Sequence, residues 1–288
     1  MKNYVICTDS ACDIKPELLK EWGVPYISLN LKFTDSDREM KNDEIDPSDF
    51  YAKMRAGKVA KTSAVNVAEF SELFEGIIKE GNDILYLGFS SGLSTTYNSA
   101  RLAGVGLSEK YPDSRIITVD TLSASAGFGL IVYLTVQKKN EGTSIEEAAE
   151  YAKSLVPKLC HWFTVEDLVY LKRGGRISSL AALFGNMLRF KPVLHMDNEG
   201  HLVAMTKVIG RKASIAALAD KYGELAEDKK NGTVFISNGD CLDEAKELAD
   251  MINKKYGAKV SLITDVGPVI GSHSGPGTMA LFFIGKER

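Results

Sequence analysis

Cysteine is scarce in this chain, and the few cysteines form no recognisable motif. The four are Cys7, Cys12, Cys160 and Cys241, with no CxxC pair among them. This spacing argues against a disulfide framework and indicates buried thiols in a reducing compartment. The chain also enters a strand-like run directly, without the apolar core and cleavage site of a secretory signal. We therefore expect a cytoplasmic protein.

Long apolar runs and an excess of positive charge are also missing. The longest apolar stretch, around 126–136, contains two glycines and a threonine. It is too short to cross a bilayer, so it is interpreted as a buried helix. The 35 basic and 38 acidic side chains leave a formal net charge of -3. This balance argues against nucleic acid or an anionic membrane surface as a general partner, and no stable membrane insertion is expected.

The motifs of metal and nucleotide chemistry are absent as well. The four histidines, His161, His195, His201 and His273, are scattered, and no HExxH or HxxxH pair occurs. No glycine-rich loop of the Walker type is present. We therefore expect neither a metal ion nor a cofactor in this chain.

What is present indicates a two-domain α/β protein. A length of 288 residues exceeds what one core usually serves, so we predict domains at 1–157 and 158–288, with a ligand between them. The first half alternates strand-like and helix-like runs, which predicts a parallel sheet. Predicted strands lie at 4–8, 26–33, 83–89 and 115–120, and predicted helices at 16–22, 47–56, 67–79, 94–108 and 123–140.

The second half has a different pattern. A helix at 144–156 leads to a strand at 160–165, and strands at 192–197 and 201–209 flank Asn198-Glu199-Gly200, a hairpin signal. We therefore predict a mixed sheet. Its remaining elements are strands at 233–238, 259–264 and 279–284, and a helix at 242–256.

Hydroxyl-rich turns are the main functional signal. The most informative runs from Gly271 to Thr278 and carries His273 among small residues, which let a backbone approach a ligand closely. The others are Thr8-Asp9-Ser10, Ser90-Ser91-Gly92-Leu93-Ser94-Thr95-Thr96, Asp120-Thr121-Leu122-Ser123 and Lys61-Thr62-Ser63. Any single hydroxyl could simply cap a helix. Together the turns predict a site for a polar or anionic group.

Two further segments each allow two interpretations. Arg173 and Arg176 flank a diglycine and could bind a phosphate or an acidic partner, or could complement the end of the preceding helix. The following stretch, 178–190, predicts a helix whose apolar residues belong to the core or form the wall of a long apolar pocket. Those residues are Leu180, Leu183, Phe184, Met187 and Leu188.

A serine hydrolase is the alternative enzyme hypothesis. Gly88-Phe89-Ser90-Ser91-Gly92 matches the loose Gly-x-Ser-x-Gly pattern, and an acid at Asp240 or Asp265 precedes His273 in the required order. In this hypothesis Ser91 or Ser94 is the nucleophile of an acyl-ester hydrolase. No oxyanion-loop signature accompanies the pattern.

The ordered set of motifs resembles the DegV family of bacterial fatty-acid-binding proteins, over nearly the whole chain. The resemblance rests on the Thr8–Asp13 run, Lys61-Thr62-Ser63, the Ser90–Ala100 run, Asp120-Thr121, the Leu171–Ile177 run, Lys191-Pro192 and the Gly271–Gly277 run. Ala64-Val65-Asn66 departs from the family, whose members usually follow Thr-Ser with one residue and then Pro-Ser.

The resemblance implies a fatty acid carboxylate held by Thr62 and Ser94, with Ser63, Ser91 and His273 nearby, and a tail in an apolar tunnel. It also implies a non-catalytic subunit that presents the acid to a separate ATP-binding kinase subunit, which makes acyl phosphate. The physical chemistry agrees, because hydroxyls can bind a carboxylate without adding charge and each buried methylene contributes about 0.8 kcal/mol.

Overall fold

The computed structural model describes residues 2–177 and 189–288. The predicted apolar helix after Arg176 therefore falls outside the described residues over 178–188. The first half contains a four-stranded parallel sheet in the order β2-β1-β6-β7. Its strands are β1 (Tyr4–Asp9), β2 (Tyr26–Ile27), β6 (Asp83–Gly88) and β7 (Ile116–Asp120). The predicted parallel sheet is confirmed.

A second, three-stranded antiparallel sheet was not predicted. It has the order β4-β3-β5, with β3 at Asn30–Phe33, β4 at Met40–Lys41 and β5 at Ala60–Ser63. The single strand predicted over 26–33 is therefore wrong, since β2 and β3 belong to different sheets. Side chains break it: the Leu29 N–H donates to Ser10 Oγ at 3.0 Å, and Ser28 Oγ donates to Asp43 Oδ1 at 2.6 Å.

Six helices accompany these strands in the first half of the described chain. Asn66 and Ser144 each form a capping box with the glutamate three residues later, which fixes where α3 and α6 begin. The helices are α1 (Pro16–Glu21), α2 (Pro47–Arg55), α3 (Val67–Lys79), α4 (Thr96–Lys110), α5 (Ser125–Asn140) and α6 (Ile145–Leu155).

The second half contains a mixed six-stranded sheet in the order β10-β9-β8-β13-β11-β12. The predicted hairpin is confirmed, because β9 and β10 pair antiparallel on either side of 197–201. The strands are β8 (Leu159–Thr164), β9 (Phe190–Met196), β10 (Leu202–Ile209), β11 (Val234–Asn238), β12 (Leu262–Asp265) and β13 (Met279–Ile284). The predicted mixed sheet is therefore also confirmed.

Four described helices belong to this half. They are α7 (Val169–Gly174), α8 (Arg211–Leu225), α9 (Leu242–Tyr256) and α10 (Pro268–Ser274). Helix α8 was missed, although Ile215, Leu218, Ala219 and Tyr222 are buried at helical spacing. Helix α10 corrects the prediction of a turn around His273, which instead lies in the last turn of a helix that ends at Ser274 and is capped by Gly275.

Helix α5 lies between the parallel sheet and the six-stranded sheet. Its Gly129 faces Ile14 and Cys12 of the first half, while its Gly127 faces Phe282 and His161 of the second. Ten of its residues are buried, and these surround the helix rather than forming one stripe. The helix is therefore part of one core that continues from the first sheet to the second.

Replacing Gly129 by alanine should destabilise the protein. A methyl group there would lie 2.5 Å from Ile14 Cδ1 and 2.8 Å from the Cys12 carbonyl oxygen, and overpacking of this kind costs roughly 1–3 kcal/mol. Gly106→Ala is the matched control, because this helical glycine of α4 has nothing within 4 Å of the added carbon. We expect the control to keep or raise the unfolding free energy in urea titrations. Equal effects of the two substitutions would contradict this packing of α5.

Candidate functional site

A cavity of about 400 Å³ lies between loops of the first half and one face of the six-stranded sheet. That face is the one turned towards α5, and it contributes residues from β8, β9, β11 and β13. Most of the wall is apolar. The apolar side chains are Leu29, Ala64, Phe89, Leu93, Ala124, Phe163, Leu171, Met196, Leu202, Val266, Val269, Ile270, Ala280 and Phe282.

The structure brings all five predicted ligand-binding residues to this cavity. Thr62 and Ser63 end strand β5, Ser91 and Ser94 lie in the turn after β6, and His273 lies in α10. All five are at least partly exposed, so they mark the outer part of the cavity. Lys61-Thr62-Ser63 was predicted to be a turn before a helix, but it is the end of a strand.

The closest contact among them joins Thr62 to His273. Thr62 Oγ1 lies 2.8 Å from His273 Nε2. Burial lowers the pKa of His273 to about 4, with a smaller effect from the positive charge of Arg176. At neutral pH the imidazole is therefore uncharged and carries one N–H.

The other ring nitrogen of His273 faces helix α7. A carbon added at Gly174 would lie 2.3 Å from His273 Nδ1, so only glycine fits at this contact. Nδ1 is buried and has no hydrogen-bond partner among the described residues. The diglycine that was interpreted as a helix end does end α7, with Gly175 in the left-handed conformation, and it also packs on the imidazole.

The serine turn after β6 is held by backbone and side-chain contacts. Ser90 Oγ donates to the Gly200 carbonyl at 2.9 Å, which ties the turn to the β9–β10 hairpin. Ser94 Oγ lies 2.8 Å from Thr96 Oγ1, and the Ser91 N–H donates to Asp120 Oδ1 at 3.3 Å. Ser94 therefore lines the cavity from a fixed turn at the start of α4.

The two predicted arginines have different positions. Arg176 lines the cavity, and its guanidinium donates to the carbonyls of Leu93 at 3.3 Å and Gly174 at 2.5 Å. Arg173 is exposed and does not line the cavity, and its guanidinium carbon lies 5.8 Å from the centre of the Tyr170 ring. Arg176 thus joins the end of α7 to the serine turn, while Arg173 faces outwards.

The hydrogen bonds do not form the relay of a serine hydrolase. His273 bonds to Thr62 rather than to Ser91 or Ser94, and no carboxylate among the described residues bonds to its Nδ1. Asp240, one of the two candidate acids, instead pairs with Arg55. The arrangement lacks the contacts that would make either serine a nucleophile.

Two of the predicted hydroxyl-rich turns do not line the cavity. Asp9 of the first turn is buried and accepts from Tyr86 Oη at 2.6 Å and from the Phe89 N–H at 3.0 Å. Thr121 of the second donates to the Gly88 carbonyl at 2.8 Å. Their polar groups therefore stabilise the ends of the parallel strands.

Sequence reasoning missed an inner group of polar residues, comprising Ser125, His161 and Ser237, with Asp13 behind Ser125. The first three line the cavity and are buried. Ser125 Oγ donates to Asp13 Oδ2 at 2.5 Å and lies 3.0 Å from Ser237 Oγ. Asp13 and Ser125 lie next to turns that were singled out, whereas His161 and Ser237 lie in apolar strands without such a signal.

Other kinds of site find little support. Within residues 2–177 and 189–288, His, Cys, Asp and Glu side chains nowhere form a group of three that could hold a metal ion. Over the same ranges, no helix has both the length and the apolar character that a bilayer crossing requires.

The structure is that of an α/β protein with a mainly apolar cavity between loops of the first half and the six-stranded sheet. A family model described as "Uncharacterised protein, DegV family" matches residues 3–286. The chain therefore belongs to the DegV family, as the resemblance predicted.

Relatives and solved structures match over the full length. A DegV domain-containing protein of Clostridium perfringens is 44% identical, over 100% of this chain and 99% of its own. A Thermus thermophilus DegV family protein, whose structure is described as showing fatty acid binding, has a TM-score of 0.88 at 29% identity and covers 99% and 100% of the two chains. A DegV lipid-binding protein of Thermotoga maritima has a TM-score of 0.85 at 30% identity, with 99% of each chain covered.

The inner group should make stability depend on pH. Burial raises the pKa of Asp13 to about 8, opposed by the hydrogen bond from Ser125. Because the unfolded-state pKa is about 4, the native protein keeps a proton that the unfolded chain releases between about pH 4 and pH 8. The Asp13 contribution to stability is therefore present at low pH and is lost as the pH rises through this window.

Asp13→Asn should remove this loss, because the amide has no proton to release. We expect the unfolding free energy of the variant, relative to that of the wild type, to increase by at least about 1 kcal/mol from pH 5 to pH 8. Urea unfolding at the two pH values measures it. Asp9, whose pKa burial raises to about 6, titrates in both proteins and cancels in the difference. A pH-independent difference would show that Asp13 is ionised in the native state.

Proposed function

We propose that this protein binds one long-chain fatty acid in the cavity. Thr62 and Ser94 hold the carboxylate, Ser63, Ser91 and His273 lie beside it, and the tail occupies the apolar interior. The observation that carries this proposal is that all five residues line one cavity with mainly apolar walls. Family members with similar folds, from Thermus thermophilus and Thermotoga maritima, are described as binding fatty acid or lipid.

The outer residues can bind a carboxylate with neutral donors. His273 Nδ1 has no acceptor among the described residues, so we infer that the imidazole proton is on Nε2 and is donated to Thr62 Oγ1. The Thr62 hydroxyl proton is then available to the ligand, as is that of Ser94. Arg176, at the same cavity, adds a positive charge that favours the ionised acid.

The apolar wall accounts for the affinity of the tail. Burial contributes about 0.8 kcal/mol per methylene, so a chain of about 16 carbons gains on the order of 10 kcal/mol before the costs of ordering it. The carboxylate contacts then fix the orientation of the acid more than they raise its affinity. We place the domain boundary between residues 157 and 158, which assigns the six-stranded sheet to the second domain and puts the tail between the domains.

We further propose that the chain is a non-catalytic subunit that presents the acid to an ATP-binding fatty acid kinase for acyl phosphate formation. The carboxylate-binding residues are the more exposed ones, which leaves the reacting end of the ligand near the surface. Arg173 and Arg176 are exposed at the end of α7 beside this region, where they suit an acidic partner or a phosphate. Because this role requires ATP, the proposal includes a location in the cytoplasm.

Denaturing mass spectrometry of the purified protein tests the proposal directly. We expect about one equivalent of a long-chain fatty acid to be extracted, because the apolar wall should retain the ligand through purification. The extract should contain the free acid rather than an ester. Recovery of only nucleotides or sugars, with no uptake of added fatty acid by the protein, would overturn the proposal.

Removing either hydroxyl at the carboxylate should weaken binding. Thr62→Val and Ser94→Ala each leave a carboxylate oxygen of the ligand without a hydrogen-bond donor. We expect each to weaken the binding free energy by roughly 1–3 kcal/mol, measured by displacement of a fluorescent fatty acid. Ser99→Ala is the matched control, since this serine lies on α4 outside the cavity lining. Unchanged affinity in both cavity variants would remove Thr62 and Ser94 from the site.

A further inference from the structure

The inner end of the cavity is polar where an unsubstituted hydrocarbon tail would need only apolar contacts. His161 and Ser237 line it, 3% and 0% exposed, from strands β8 and β11. Neither nitrogen of His161 has a hydrogen-bond partner among the described residues. Buried polar groups are normally paired, so unpaired ones beside a cavity indicate a partner supplied by the ligand.

The beginning of helix α5 adds further donors to this end. Ala124 and Ser125 line the cavity, and no side chain of the described residues caps the helix at Ala124. The first intrahelical bond runs from the Phe128 N–H to the Ala124 carbonyl. The preceding N–H groups therefore belong to a buried, uncapped helix end, which favours an oxygen acceptor.

The sheet fixes how these groups are spaced. Phe282 pairs with His161, and Ala280 pairs with both Phe163 and Ser237. His161 and Ser237 thus lie on one face, two strands and two residues apart, which separates their Cα atoms by about 12 Å. A single oxygen on the ligand can therefore contact only one of these two side chains. The position of that oxygen along the acyl chain determines which one it contacts.

We propose that the inner polar group recognises a neutral oxygen function on the acyl chain, so that this protein binds hydroxy fatty acids. The inference rests on the proposed function and specifies its ligand. Ser237 and Ser125 offer hydroxyl oxygens as acceptors, and His161 offers one donor and one acceptor. A hydroxyl on the chain can both donate and accept, which matches this mixture.

The electrostatics of the inner group favour a neutral partner over a second carboxylate. Burial holds the pKa of His161 well below its ordinary value and raises that of Asp13 to about 8. Both groups are therefore uncharged at neutral pH, and no cation lines this part of the cavity among the described residues. An ionised group there would be buried without a counter-charge.

Competition binding to the delipidated protein tests the inference. The competitors are stearic acid, a series of hydroxystearic acids with the hydroxyl at successive carbons, and an 18-carbon dicarboxylic acid. We expect at least one hydroxy isomer to bind as tightly as stearic acid or more tightly, and the diacid to bind far more weakly. An unpaired hydroxyl in a wholly apolar wall would instead weaken binding by about five- to a hundredfold.

Two variants assign the effect to the inner group. At least one of Ser237→Ala and His161→Phe should weaken binding of the favoured hydroxy isomer about fivefold or more relative to its effect on stearic acid binding. Ser214→Ala, a fully buried serine outside the cavity, is the matched control. Thermal unfolding checks that each variant is folded. If one variant is not folded, the inference is judged from the other variant and from the order of competitor affinities for the wild-type protein.

The outcomes separate the two proposals. If stearic acid binds but every hydroxy isomer binds more weakly than stearic acid, or if neither folded variant changes the preference, the inner group has only a structural role and this inference fails. If no fatty acid binds the wild-type protein, the proposed function itself fails.

Discussion

The burial of helix α5 on both sides is the constraint on which the rest of the structure depends. Because α5 contacts the parallel sheet side through Gly129 and the six-stranded sheet through Gly127, its position sets the separation of the two halves. Its first turn then forms part of the cavity wall at Ala124 and Ser125. The core and the site therefore share one element, and a shift of this helix would alter both.

Much of the fold could be predicted, because strong local patterns coincide with the final elements. The alternation of apolar strands and amphipathic helices in the first half, and Asn198-Glu199-Gly200 between two strands in the second, give the two sheet types correctly. The patterns failed where tertiary contacts override them. Hydrogen bonds from Ser28 and to Ser10 divide 26–33 between two sheets, and the small three-stranded sheet depends on pairing between segments distant in sequence.

The candidate site likewise has residues that could be predicted from the sequence and residues that could not. The outer residues could be predicted because hydroxyls and His273 occur in short polar clusters, and the chain folds these clusters together. His161 and Ser237 could not be predicted, because a single polar residue in an apolar strand produces no periodic pattern. Such a residue usually lies in the core with its hydrogen bonds satisfied. The sheet register shows that both lie on one face of the sheet, and only the folded structure shows that both line the cavity and that His161 lacks a partner among the described residues.

The contact between the serine turn and the β9–β10 hairpin has a consequence for which substitutions this chain can accept. A carbon added at Gly92 would lie 2.7 Å from the Glu199 carbonyl oxygen, and one added at Gly200 would lie 2.2 Å from Ser90 Oγ. The two halves thus meet here in contacts so close that no larger residue fits at either glycine. Substitutions in the apolar walls can therefore change the shape of the cavity while this glycine junction keeps the serine turn after β6 in place.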